Sequence, residues 1–141
     1  MTQQKQTLPH QHGNEGNLDY FKLHLARKEE FSKVAWIFKQ LSDPSRIRVF
    51  WLLCHCEECV LNLSALMQMS SPAISHHLRQ LKDSGLILSS RRGKEVYYRA
   101  AQTEQSRLLH QMIEKTMEIT CLTKLGELEE SEEEAHVQDK L

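Results

Sequence analysis

The segment Cys54-His55-Cys56-Glu57-Glu58-Cys59 places three thiols within six residues. Thiolates favour soft ions such as Cd(II), Pb(II), Zn(II) and trivalent arsenic or antimony. Three sulfurs from one short segment can converge on a trigonal site, and His55 or the fourth cysteine, Cys121, can make it tetrahedral. The candidate metal ligands are therefore Cys54, Cys56, Cys59 and Cys121. Each also has a plainer reading; Cys54, following Leu52-Leu53, suits a core as a small apolar side chain. Catalysis would need a nucleophile and base with a third orienting group, or a metal with an open position and a base. No such third group or substrate cleft is evident beside Cys54-His55-Cys56, and an enzyme is not expected.

A second set of residues suits nucleic acid. In Ser71-Pro72-Ala73-Ile74-Ser75-His76-His77-Leu78-Arg79-Gln80-Leu81-Lys82, helical spacing puts Ile74, Leu78 and Leu81 on one face and Ser71, Ser75, His76, Arg79 and Gln80 toward the other. Serines and a histidine near a helix start can reach phosphates and base edges, and with Ser70 they form the leading edge of the helix. Arg79 and Gln80 are the types that read guanine and adenine. His76 and His77 are neighbours and do not face each other on a helix, so the histidine pair is read as DNA-facing rather than metal-binding. Arg91, Arg92 and Lys94, around Gly93, suit phosphate or minor-groove contact. Across 69–99 there are six bases against two acids. A solvated surface that happens to be basic explains any one of these residues, but it accounts poorly for the ordered set.

The whole-chain charge hides this pattern. The 141 residues carry a net charge of −1, which would argue against a DNA-binding protein. Yet Glu127 to Leu141 hold seven acids and one base, leaving 12 acids and 17 bases before them, an excess of +5. Such an acidic run usually forms a solvated tail. It can lower nonspecific DNA affinity by competing for the basic face, or bind a basic partner as an interaction module. The first residues are polar, with Pro9, Gly13 and Gly16, and predict no secretory signal. The longest apolar run, Val49 to Cys54, falls far short of a membrane span of roughly 20 residues. A cytoplasmic protein is expected, with a disordered arm over 1–20, one domain over 21–123 and a disordered acidic tail over 124–141.

The elements that must position these residues are mostly helical. Phe31, Val34, Ala35, Phe38 and Leu41 predict a helix over 22–40. Asp43-Pro44 is a cap followed by a proline at the first helical position, starting a helix over 44–54 that is apolar nearly all round. Helices follow over 60–67 and 72–84, the latter opened by a Ser71 cap and stopped by Gly85. The runs 86–91 and 96–100 predict a hairpin, and a last helix over 102–121 carries Leu108, Leu109, Met112, Ile113, Thr116 and Ile119. Trp36 and Trp51 are expected to fill the core, and Met67, Met69, Met112 and Met117 to pack. This order is that of a winged helix-turn-helix: mainly α with a small β-hairpin.

Residues 33–100 resemble the ArsR/SmtB family of metal- and thiol-responsive bacterial repressors. The likeness lies in Leu41-Ser42-Asp43-Pro44-Ser45-Arg46-Ile47-Arg48, in Ser75-His76-His77-Leu78 with Leu81-Lys82, in Gly85-Leu86-Ile87, and in Arg92-Gly93-Lys94-Glu95-Val96-Tyr97-Tyr98. Gln68 departs from the glycine often found in the family's turn. The resemblance implies a homodimer held by its first and last helices, bound to palindromic double-stranded operator DNA and released when an inducer binds. The family's thiolate site opens the third helix with a Glu-Leu-Cys-Val-Cys-Asp-Leu motif. Here Glu57-Glu58-Cys59-Val60-Leu61-Asn62-Leu63 keeps Cys59, has Leu61 for the second cysteine and Ser64 for a later one, and carries Cys54 and Cys56 upstream. Some members add cysteines from the partner's arm; this arm offers His10, His12 and His24 instead. A second family site on the last helix maps to Gln102, Glu104, Lys115 and Glu118, which do not suit it. His110, Glu114 and Glu118 share one helical face and can bind a hard ion weakly, though a solvated polar face is the simpler reading. The family's oxidant and sulfide sensors suggest an alternative, a repressor switched by thiol chemistry between Cys54 and Cys121.

Overall fold

The computed structural model describes residues 8–13 and 15–120. Cys121 and the acidic tail lie outside the described residues. The chain divides into two compact units, Met1–Phe38 and Lys39–Leu141. In the first, a short 3-10 turn at Glu15–Asn17 leads into α1 (Leu18–Leu25), and α2 (Lys28–Gln40) follows. The single helix expected over 22–40 is thus two helices. Lys28 N–H turns back to Ala26 O at 2.8 Å, which interrupts the regular ladder although no glycine or proline marks the break. Arg27 then pairs with Glu30 at the start of α2. Tyr20, Phe21, Leu23, Leu25, Phe31, Val34 and Phe38 are exposed, and so is Trp36 at 43%, contrary to the core role expected of it.

In the second unit, Asp43 Oδ1 accepts from Arg46 N–H at 2.9 Å and Pro44 occupies the first turn, so α3 (Pro44–His55) starts where the sequence places it. Its buried face is Val49, Phe50 and Leu53. Trp51 is 36% exposed, so the helix is not buried all round. After α3 comes a two-residue strand, β1 (Glu58–Cys59), and then α4 (Val60–Met67) and α5 (Ser71–Asp83). The cap of α5 is Ser70 rather than Ser71: its Oγ accepts from Ala73 N–H at 3.3 Å.

Both helices of the pair end alike. Gly85 N–H donates to Lys82 O and Leu86 N–H to Leu81 O, at 3.0 and 3.1 Å, the paired closure of a left-handed stop. At α4 the same bonds run from Gln68 to Ala65 O and Met69 to Ser64 O, and Gln68 takes φ 53°, a conformation that suits glycine better. Ser64 Oγ also bonds Met69 O, tightening this turn.

Strands β2 (Ile87–Arg92) and β3 (Glu95–Ala100) form the expected hairpin. Its two-residue loop has φ 63° at Gly93 and no positive φ at Lys94, the primed geometry that matches strand twist. The sheet has one strand more than expected. β1 pairs antiparallel with β3, Glu58 opposite Tyr98 and Cys59 opposite Tyr97, giving the order β1-β3-β2. A last helix, α6, covers 104–120. Thr103 Oγ1 accepts from Ser106 N–H, and Ser106 Oγ donates to Leu86 O at 3.1 Å, seating α6 on the start of the hairpin.

The core of this unit joins Val49 and Phe50 of α3, Leu63 of α4, Ile74, Leu78 and Leu81 of α5, Leu86, Ile87 and Leu109. Burying each of these larger side chains is worth about 1.5–3 kcal/mol. That packing, rather than helix propensity, holds α5 in place. Among the described residues no helix is long and apolar enough to cross a membrane.

Candidate nucleic-acid interface and inducer site

Helix α5 divides as its spacing predicts. Ile74, Leu78 and Leu81 are buried, His76 and Arg79 are exposed, and Ser71, Ser75 and Gln80 are half-exposed. His77 departs from the DNA-facing reading, being buried on the inner face. Arg46 Nε donates to its Nδ1 at 3.4 Å, which leaves Nε2 to carry the proton toward Asp43 Oδ1, 3.9 Å away. Arg46 also donates to Gln40 O and Oε1 at 3.3 and 3.2 Å. Gln40, Asp43, Arg46 and His77 thus form a polar clamp between the start of α3 and the reading helix. Burial lowers the His77 pKa from its ordinary value, the Asp43 carboxylate working against the shift. The Asp43 pKa is lowered by the backbone N–H of Arg46.

The wing residues fall into two groups. Lys94 and Arg91 are exposed at the tip, where Arg91 Nε donates to Gly93 O at 3.2 Å. Arg92 is engaged: it donates to Glu57 Oε1 at 2.6 Å and lies 4.9 Å over the Tyr97 ring. Ser90 Oγ also approaches Glu57 Oε1, at 3.4 Å. Ser70 Oγ accepts from Ala73 N–H, Ile74 N–H donates to Ser70 O and Pro72 has no N–H, so the first turn of α5 keeps its positive dipole end but has most of its amides already engaged.

The cysteines fall at three levels of exposure. Cys54, in the last turn of α3, is half-buried; Cys56, just past it, is exposed and donates to Leu52 O; Cys59, in β1, is buried. Burial, with Glu114 nearby, pushes the Cys54 thiol up to about 11. Burial and then Glu58 raise Cys56. Among the described residues the thiols are not gathered around one point; the group that does converge is His55, His110 and Glu114. His110 and Glu114 were visible as an i, i+4 pair. The expected third member, Glu118, instead pairs with Lys115 at 3.2 Å, and the third corner comes from α3, more than fifty positions away in sequence. Burial of Leu109 and exposure of Leu108, Met112, Met117 and Ile119 split the apolar stripe of α6 between the core and an uncovered face.

A helix pair with an outward basic reading helix and a basic hairpin beside it defines a winged helix-turn-helix DNA-binding protein. The profile of the bacterial regulatory protein, arsR family, matches residues 43–89. A transcriptional repressor SmtB homolog from Synechocystis is 34% identical over 90 residues, covering 64% of this chain and 68% of that protein. An arsenic resistance transcriptional regulator of Pseudomonas putida is 39% identical over 83 residues, covering 58% of this chain and 71% of that one. The chain belongs to the arsR family, and it is a DNA-binding transcriptional regulator rather than an enzyme. Its fold is also that of a homodimeric winged helix-turn-helix domain from Mycobacterium bovis, with a TM-score of 0.57 at 23% identity over 79% of this chain and 91% of that one.

Proposed function

We propose that the protein is a homodimeric cytoplasmic repressor that reads a palindromic operator through Ser70, Ser71, Ser75, His76, Arg79 and Gln80 of the reading helix and Arg91, Arg92 and Lys94 of the wing. A soft metal or metalloid ion such as Cd(II), Pb(II), Zn(II) or As(III), bound at Cys54, Cys56 and Cys59 with Cys121, releases it. The observation that carries this reading is the path from the cysteine segment to the wing. Glu58 and Cys59 pair with Tyr98 and Tyr97 of β3, and Glu57 holds Arg92. Drawing the thiols together around an ion pulls on both connections at once. Linkage then requires operator DNA to weaken ion binding by the same factor.

The arsenic resistance relative supports an ion of this class. The exposed apolar faces of α1, α2 and α6 support a dimer, as in the homodimeric M. bovis domain. The Cys54 thiol, held up at about 11, is little ionised in the ion-free chain; that slows direct thiolate chemistry there and means that an ion bound at this sulfur would displace a proton. The test is operator binding of the protein by fluorescence anisotropy, with and without Cd(II) or arsenite. Release is expected in the parent and lost in a Cys56→Ser, Cys59→Ser double variant. Release that survives in that variant overturns the cysteine site, and oxidant-driven release lost in Cys54→Ser or Cys121→Ser restores the redox reading.

A further inference from the structure

The geometry points to a divalent-ion site of the zinc class at His55, His110 and Glu114, separate from the cysteine cluster. His55 Nε2 lies 3.3 Å from Glu114 Oε1. His110 Nε2 lies 3.1 Å from that oxygen and 3.2 Å from His55 Nε2. The three atoms make a nearly equilateral triangle. Four ligands at about 2.0–2.1 Å from a tetrahedral ion stand about 3.3–3.4 Å apart, so this triangle has the size of one face of such a shell.

Hydrogen bonding alone satisfies the triangle poorly. If each imidazole aims a proton at the one carboxylate oxygen, two like N–H dipoles meet at 3.2 Å. If either turns its lone pair inward, that lone pair faces the carboxylate. An ion in the middle is attracted by all three lone pairs. Two imidazoles and a carboxylate are the donor set for Zn(II), Co(II) or Ni(II), borderline ions, rather than for the softest thiophilic ones.

The surrounding residues hold the triangle in shape. His110 and Glu114 stand one turn apart on α6, and His55 ends α3, so the ligands come from two elements rather than one mobile loop. Trp51 Nε1 donates to Glu114 Oε1 at 2.9 Å and its ring packs against His55 with centroids 4.4 Å apart. Such outer partners orient ligands and tune their affinity. His55 and Glu114 are each about half exposed, so water can supply a fourth ligand. The bound ion would tie the end of α3 to α6 from within the cysteine segment, at the residue between Cys54 and Cys56.

The test is a Co(II) titration of the full chain carrying Cys54→Ser, Cys56→Ser and Cys121→Ser, which removes the thiolate cluster and leaves the buried Cys59. One Co(II) per chain is expected, with the visible absorption of four-coordinate cobalt, no sulfur charge-transfer band, and displacement by Zn(II). In this background Trp51→Phe is expected to weaken Co(II) binding about tenfold or more, and His110→Ala and Glu114→Gln at least as much. These side chains lie outside the fully buried core, and circular dichroism checks that each variant folds. Absence of Co(II) binding in the thiol-depleted chain overturns the site. So does unchanged affinity in both His110→Ala and Glu114→Gln. Neither result bears on the cysteine cluster, which is absent from this background.

Discussion

Replacing Asp43 by alanine tests whether the clamp at the start of α3 is worth what its geometry implies. Two contributions are lost. The first is the cap: Oδ1 accepts from Arg46 N–H at 2.9 Å, and such a cap contributes about 1 kcal/mol. The second is the attraction to His77 Nε2 at 3.9 Å; with Asp43 41% exposed, water screens it to about 0–1 kcal/mol. The sum is about 1–2 kcal/mol, and for a domain of this size each kcal/mol lowers Tm by about 4–8 °C. Asp43→Asn keeps an acceptor for the cap, so it should lose only the second contribution. Urea unfolding at fixed protomer concentration measures both variants, since a dimer's midpoint depends on concentration. Asp43→Ala within about 0.5 kcal/mol of the parent would refute the cap assignment. Equal losses in the two variants would place the whole effect in the charge.

Three further outcomes are expected. Burial lowers the His77 pKa, so below about pH 6.5 the unfolded chain takes up a proton that the folded one resists. Stability should fall as pH drops through that range, and His77→Asn should flatten the slope in unfolding curves between pH 5 and 7.5. Gln68 sits at φ 53°, so Gln68→Gly should stabilise by about 0.5–1 kcal/mol and Gln68→Ala should not; Tm of the two variants decides it. Arg79→Ala should reduce operator affinity by about 1–3 kcal/mol and relax discrimination at one base pair, whereas Lys94→Ala should weaken binding to all sequences and lower the salt slope by about 1, both read by anisotropy across a salt series.

What the sequence revealed depended on the range of the interaction. Asp43-Pro44, Gly85 and Gly93 act within a few residues, and the structure uses each as its local chemistry predicts. The inner face of α5 was legible through Ile74, Leu78 and Leu81, because a helix repeats its environment every turn. His77 shares that inner face by the same spacing, three residues after Ile74 and four before Leu81; its polar type hides this, and Arg46 and Asp43 meet its ring there. β1 is too short for any periodicity to show and exists only through its pairing with β3. Trp36 and Trp51 suggest a core by type, but both are partly exposed, and Trp51 instead uses its indole N–H on Glu114 of α6. The approach of His55 to His110 and Glu114 is a contact across more than fifty positions that no local pattern reveals, whereas the i, i+4 pair His110 and Glu114 is plain in the sequence.

The pairing of β1 with β3 also has a topological meaning. Cys59 and Tyr97 are joined across the ladder, so everything from Val60 to Val96, both helices of the pair and most of the wing, is one closed loop pinched at its neck. The loop is also stitched down along its length, by α5 packed on α3 and by β2 paired with residues 97–100. Closing so long a loop has an entropic cost that a two-residue ladder cannot meet alone, so the β1–β3 pair should form only together with the core. Amide exchange across that pair should then report global unfolding rather than local fraying.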